Sequence, residues 1–138
     1  MLFDIEKLGE LKSRINSIDR IKLAHLPTPL HQASRLSKAL GGPMILIKRD
    51  DLTGLAFGGN KTRMFEYSLK QILNEGYDTI IAGAAVQSNY CRQMVAACAQ
   101  IGIDVHLVLR TVRGGKDHDV QGNLLLDLLA GAKVNIME

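Results

Sequence analysis

From Lys61 onward, stretches with helical apolar spacing alternate with short β-rich runs, and glycine closes each helix. This alternation constrains the fold more than any other feature. A strand that feeds a helix and then a second strand packs back on the first as a right-handed crossover, which builds a parallel sheet. The spacing predicts a helix over 61–75, with Met64, Phe65, Leu69, Ile72 and Leu73 three and four residues apart and Gly76 as a left-handed stop. A strand follows at 79–82, then a helix over 90–101 closed by Gly102. A strand at 104–109, a loop, a helix over 120–129 with Gly131 as stop, and a strand from 133 complete the series. Ahead of Lys61, residues 1–20 read as an amphipathic helix with Ile5, Leu8, Leu11 and Ile15 on one side. Pro27 and Pro29 exclude helix from the next segment, which leads to a short helix at 34–40 and a strand at 44–48.

Composition agrees with this class. Of 138 residues, 46% are hydrophobic but only 4% aromatic, with no Trp. The core is therefore built from small aliphatic side chains, as sheets between helices commonly are. The fold class is α/β, a parallel sheet flanked by helices. The net charge of +3 comes from scattered basic residues without interleaved aromatics or a basic stripe, so nucleic-acid binding is not expected. No apolar run approaches the ~18 residues of a membrane span. The first residues lack the charged lead and apolar stretch of a signal peptide, and a cytoplasmic location is the expectation. The four histidines share no metal-ligand spacing, His118 falling in a polar loop, and no metal site is expected. Cys91 and Cys98 lie two helical turns apart, roughly 10 Å, too far for a disulfide. They read as packing residues, with a reactive thiol at Cys91 as the alternative.

Gly58-Gly59-Asn60-Lys61 puts a lysine where a glycine-rich loop turns into a helix. A free lysine titrates near ~10.4, so at neutral pH fewer than roughly one in a thousand carries the lone pair that attacks a carbonyl. The unpaired N–H groups of a helix's first turn disfavour an ammonium beside them, and burial acts in the same direction. Both expose the amine as a nucleophile, and the glycines let backbone come close to a ligand. By itself the tetrapeptide also describes a loop followed by a solvated lysine.

A second segment adds to it. The strand at 79–82 runs into Gly83-Ala84-Ala85-Val86-Gln87-Ser88-Asn89 and then a helix start. Ser88 or Asn89 is the N-cap candidate, and the free N–H groups of such an end bind carboxylate or phosphate. An ordinary cap in an α/β crossover accounts for Ser88 or Asn89 alone, but not for both segments together.

These segments resemble the pyridoxal-phosphate enzymes of the tryptophan-synthase-β fold type (fold type II), in the D-cysteine desulfhydrase and 1-aminocyclopropane-1-carboxylate deaminase branch. The resemblance is carried by Leu26-Pro27-Thr28-Pro29-Leu30, Ile47-Lys48-Arg49-Asp50-Asp51-Leu52, Gly58-Gly59-Asn60-Lys61-Thr62-Arg63, Val86-Gln87-Ser88-Asn89 with Arg92-Gln93, and Gly122-Asn123-Leu124-Leu125-Leu126-Asp127. The blocks stand in the family's order from about residue 20 to the end. The resemblance implies pyridoxal phosphate as cofactor, with Lys61 linked to its aldehyde and later moving protons on the substrate. It places Asn60 and Asn89 at the cofactor, Asn89 on the ring hydroxyl oxygen. Gln87, Ser88 and Asn89 fall at the substrate, Ser88 holding its carboxylate or assisting the chemistry. The implied reaction is a lyase or deaminase step on a small amino acid, giving a keto acid and ammonia. Residues 1–60 would belong to the larger, cofactor domain and 61–138 to most of the smaller αβα domain, in a homodimer.

Two positions depart from the family pattern. Met64 stands where a second lysine usually follows near the cofactor phosphate, and Tyr90 where His or Gln is usual. The phosphate loop and the partner of the pyridine nitrogen lie downstream of the position matching Glu138, so this chain reads as a fragment that is inactive alone and needs a C-terminal half. Two other classes stay open. Gly54, Gly59 and Lys61 superficially suggest a phosphate- or nucleotide-binding α/β module, though Asn60 intervenes where a P-loop needs glycine, and no dinucleotide fingerprint opens a helix. The other is a non-catalytic protein that keeps the fold.

Overall fold

The computed structural model describes residues 4–112 and 119–137. Helix α1 (Ile5–Asn16) starts at Asp4, whose carboxylate accepts from the amides of Glu6 (3.2 Å) and Lys7 (3.3 Å). Its apolar side, Ile5, Leu8, Leu11 and Ile15, is exposed along its length. Next come β1 (Leu30–Gln32), α2 (Ser34–Leu40) and β2 (Leu46–Lys48). The two strands pair antiparallel with Leu30 opposite Lys48. Two short 3-10 turns, Asp50–Leu52 and Leu55–Phe57, lead to α3 (Lys61–Asn74).

From there the chain alternates as its glycine spacing requires: β3 (Thr79–Ala85), α4 (Asn89–Ile101), β4 (Asp104–Arg110), α5 (Gly122–Leu129) and β5 (Lys133–Met137). The three strands form one parallel sheet in the order β3-β4-β5, with Thr79 beside Asp104 and His106 beside Lys133. Helix α4 is central: it packs on α3, on α5 and on the sheet. Val105, Leu107 and Leu109 alternate into the buried side of β4, where they meet Met94, Val95, Cys98, Leu124 and the other buried apolar residues. Small aliphatic and sulfur side chains fill this core, with Phe65 as its one buried aromatic ring among the described residues.

The structure differs from the sequence pattern in details. Strand β3 continues to Ala85, because Gly83, Ala84 and Ala85 pair with Val108, Leu109 and Arg110 through backbone alone. The sequence pattern does not announce strand β1; it forms because the residues after Pro29 lie extended against β2. Helix α5 begins at Gly122 and not at Val120. His118 lies outside the described residues.

Two ionic groups, one buried and one half-buried, fix the N-terminal arm to α3. Glu66, 2% exposed, accepts from the amides of Leu23 (3.0 Å) and Ala24 (2.9 Å) and from the Arg20 guanidinium (3.0 Å). Arg63 grips Asp50 with two nitrogens (3.0 and 2.7 Å) and also donates to the Thr28 hydroxyl (2.9 Å). That fork holds the Asp50 carboxyl below the usual carboxylate range. Among the described residues no helix is long and apolar enough to cross a membrane.

Candidate functional site

The loop before Lys61 has an unusual backbone. Four successive residues, Ala56 (φ 45°), Phe57 (67°), Gly58 (78°) and Gly59 (137°), hold positive φ. At Gly58 a Cβ would strike the carbonyl of Asp51, and at Gly59 it would strike the side chain of Gln93. Neither position has room for a side chain, and this makes the pair obligatory. Buried Thr53 fastens the turn: its hydroxyl accepts from the Gly59 amide (2.9 Å) and lies within hydrogen-bond reach of the carbonyls of Asp50 (3.1 Å) and Gly59 (2.9 Å). Lys61 is the first residue of α3 and is half-buried, its Nζ 3.4 Å from the Asn60 side-chain oxygen.

The start of α4 is the second part. Ser88 is its N-cap, the Oγ accepting from the Cys91 amide at 3.3 Å. The amides of Asn89 and Tyr90, next in the first turn, have no hydrogen-bond acceptor among the described residues, so they face outward as donors. Gln87 is bonded at both ends to the start of α5: its Nε2 donates to the Gln121 carbonyl (3.1 Å) and its Oε1 accepts from the Asn123 amide (2.8 Å). The Asn123 side chain in turn donates to the Gln87 carbonyl (2.9 Å) and to Asn89 Oδ1 (3.1 Å). Asn89 Oδ1 also accepts from Arg92 at 3.2 Å. With two donors on its oxygen, the Asn89 amide is oriented, and its NH₂ has no acceptor among the described residues.

A buried strut joins the two parts. Gln93, 2% exposed, accepts through Oε1 from both the amide (3.2 Å) and the hydroxyl (3.1 Å) of Thr62, and its Nε2 donates to the Asn89 carbonyl (3.0 Å). Arg92 reaches the Gly58 carbonyl at 3.4 Å. The Tyr90 ring lies on Phe65 of α3, with centroids 5.2 Å apart and planes tilted by 56°. Lys61, Asn60, Ser88 and Asn89 are thus gathered at the adjoining starts of two packed helices, with Gln87 beside them. Met64 is largely exposed on α3.

Arg92, Gln93 and Asn123 carry this geometry, and sequence reasoning gives them no roles. The signal available is the spacing of Arg92 and Gln93 three and four residues after Asn89, which puts all three on one helical face. Asp127 escapes sequence reasoning as well. It is fully buried, and neither carboxylate oxygen has a hydrogen-bond partner among the described residues. Burial pushes its carboxyl up to about 7, against the opposing pull of Arg92. Burial lowers Arg92 in the same way. Burial also raises both thiols, Cys98 to about 11, so the cysteines are core residues and not nucleophiles. No cluster of His, Cys, Asp or Glu among the described residues could hold a metal.

The family model of the pyridoxal-phosphate dependent enzymes matches residues 21–137. Curated relatives include the mitochondrial bifunctional D-cysteine desulfhydrase/1-aminocyclopropane-1-carboxylate deaminase of Arabidopsis thaliana, 39% identical over 83% of this chain and 29% of that protein. The D-cysteine desulfhydrase of Salmonella paratyphi C is 45% identical over 79% of this chain and 34% of that protein. The crystal structure of an ACC deaminase homologue superposes with a TM-score of 0.82 at 35% identity, covering 91% of this chain and 37% of the other. A diaminopropionate ammonia lyase of Escherichia coli, 22% identical with a TM-score of 0.64, shares the fold. The chain spans about a third of the length of the curated relatives it matches. With five ordered sequence blocks, a parallel α/β fold and a family match across most of its length, this chain belongs to the pyridoxal-phosphate-dependent enzymes.

Proposed function

We propose that the protein is a lyase or deaminase acting on a small amino acid, of the D-cysteine desulfhydrase or 1-aminocyclopropane-1-carboxylate deaminase kind, with a keto acid and ammonia as products. One observation carries this reading: the Gln93 strut sets the lysine-bearing start of α3 against the start of α4, where oriented donors of Ser88 and Asn89 converge. The donor set fits pyridoxal phosphate and its substrate. Lys61 offers an amine for an aldehyde, and Asn60 offers an acceptor that steadies that amine. Asn89 turns an NH₂ outward that suits a ring hydroxyl oxygen. The hydroxyl of Ser88 and the free amides behind it suit a carboxylate, and Gln87 keeps that loop on the start of α5 beside the substrate.

When bound, the cofactor supplies an electron sink for the bonds at the substrate's α-carbon. The chain does the rest. Lys61 is the residue that would hold the cofactor through its Nζ, and the same amine would take and return a proton at the substrate as a positioned base. Ser88 and the α4 amides orient the carboxylate, which decides which α-carbon bond faces the acceptor. In this reading residues 1–60 belong to a larger cofactor domain and 61–138 to most of a smaller one. The active protein is a cytoplasmic homodimer whose site takes further residues from outside this chain.

Absorbance tests it. The complete protein mixed with pyridoxal phosphate should develop a visible band, and borohydride should fix the cofactor on the peptide carrying Lys61. Lys61→Ala should lose both. A complete protein that stays colourless and unlabelled overturns the reading.

A further inference from the structure

One residue brackets Lys61. Two positions before the lysine, the Gly59 amide donates to the backbone carbonyl of Asp50 at 2.8 Å. Two positions after it, the Arg63 guanidinium grips the Asp50 carboxylate through Nε (3.0 Å) and Nη2 (2.7 Å). The loop and the first turn of α3 thus close into a ring whose ends meet on Asp50. Buried threonines brace both contacts. Thr28 donates to Asp50 Oδ1 (3.1 Å) and accepts from Arg63 (2.9 Å). The Thr53 hydroxyl lies 3.1 Å from the Asp50 carbonyl and accepts from the Gly59 amide (2.9 Å). The start of α3 has no local fastening of its own, because Asn60 stands at the N-cap without a capping hydrogen bond from its side chain. An uncapped helix start is free to fray. A bidentate, half-buried arginine fork is stronger than an ordinary surface ion pair and fixes direction as well as distance.

We propose that Asp50 is a positioning residue for Lys61, its carbonyl holding the chain just before the lysine and its carboxylate the chain just after it. This rests on the reading above, in which the Lys61 amine takes up the cofactor. Gln93 sets the place of α3 against α4, and Asp50 sets the course of the backbone through the lysine itself.

In the complete protein, Asp50→Asn keeps the backbone carbonyl and the side-chain shape but removes the charge from the fork. Without cofactor, the Gly59 amide should exchange its hydrogen about tenfold faster, the effect of losing one charge-assisted contact. With pyridoxal phosphate, the visible band should develop about tenfold more slowly, because a lysine whose flanks move spends less time within reach of an aldehyde. Glu66→Ala, on the same helix, should lower the melting temperature and leave both rates within about twofold, as a purely structural loss does. If either rate in Asp50→Asn matches that of the unaltered protein, the proposal is wrong. It is equally wrong if Glu66→Ala moves both rates alike, since the effect is then a general loosening of the fold. Should Asp50→Asn not fold, Arg63→Lys opens the fork from its other end while keeping the positive charge, and the same two rates decide. If the unaltered protein forms no band, the proposed function falls, while the Gly59 exchange rate still decides on Asp50.

Discussion

A single oxygen of Gln93 accepts both the backbone amide and the hydroxyl of Thr62, at 3.2 and 3.1 Å. Thr62 follows the lysine directly, so this one atom determines where α3 begins relative to α4. The other end of the same amide is tied to Asn89. Sliding the interface by one residue would break both bonds from Thr62, while the bond to Asn89 lies within α4.

Replacing Gln93 with Leu should therefore cost about 2–3 kcal/mol, because it strands two buried donors of Thr62. Urea unfolding measures this as a lower midpoint at an unchanged slope. Gln93→Glu keeps the acceptor but loses the donor to Asn89 and buries a charge, and it should be no more stable than the leucine variant.

Glu66 makes a second prediction. Its removal leaves the amides of Leu23 and Ala24 without their acceptor, so Glu66→Ala should lose about 3 kcal/mol. Glu66→Gln retains an amide oxygen for them and gives up chiefly the Arg20 contact. That arginine is half-exposed, and the change should cost about 1 kcal/mol or less. Thermal melts of the two variants should differ accordingly.

The pH dependence follows from Asp127. Its folded-state value, about 7, lies above the ordinary 3.8. The folded protein therefore keeps a proton that the unfolded chain has released. Its stabilising effect is complete below about pH 4 and is lost as pH rises through 7, a change on the order of 4 kcal/mol. Asp50 acts in the opposite sense: its lowered value stabilises the fold above the ordinary carboxylate range and is lost as pH falls. Melting temperatures measured from pH 4 to 8 should decline, and Asp127→Asn should flatten that decline.

Thiol chemistry offers a fourth check. Cys91 and Cys98 are fully buried and burial raises both thiols. A thiol reagent at pH 8 should label neither in the folded protein and both in denaturant. Rapid labelling of Cys91 under native conditions would contradict the core assignment.

Much of this is legible in the sequence because it is local. Lys61 at a helix start, Ser88 as a cap and the glycine stops follow from chemistry within a few residues. What stays hidden depends on packing between distant segments. The Gln93–Thr62 contact joins residues 31 apart in sequence, and the Asn123–Gln87 contact joins residues 36 apart. Asp127 reads as a polar residue in an apolar helix, and only the position of α4 makes it a buried carboxyl. The stripe on α1 shows the converse: periodicity predicts an apolar side, but it names no surface to cover it, and here that side is exposed.

Ala56 and Phe57 hold left-handed backbone without being glycine, each at a cost of about 1–3 kcal/mol. A library of variants selected for heat resistance alone should accumulate glycine at both positions, because that relaxes the chain without disturbing any fully buried side chain. The winners would be sturdier proteins with a slacker lead into the lysine, and they would have exchanged aim for endurance.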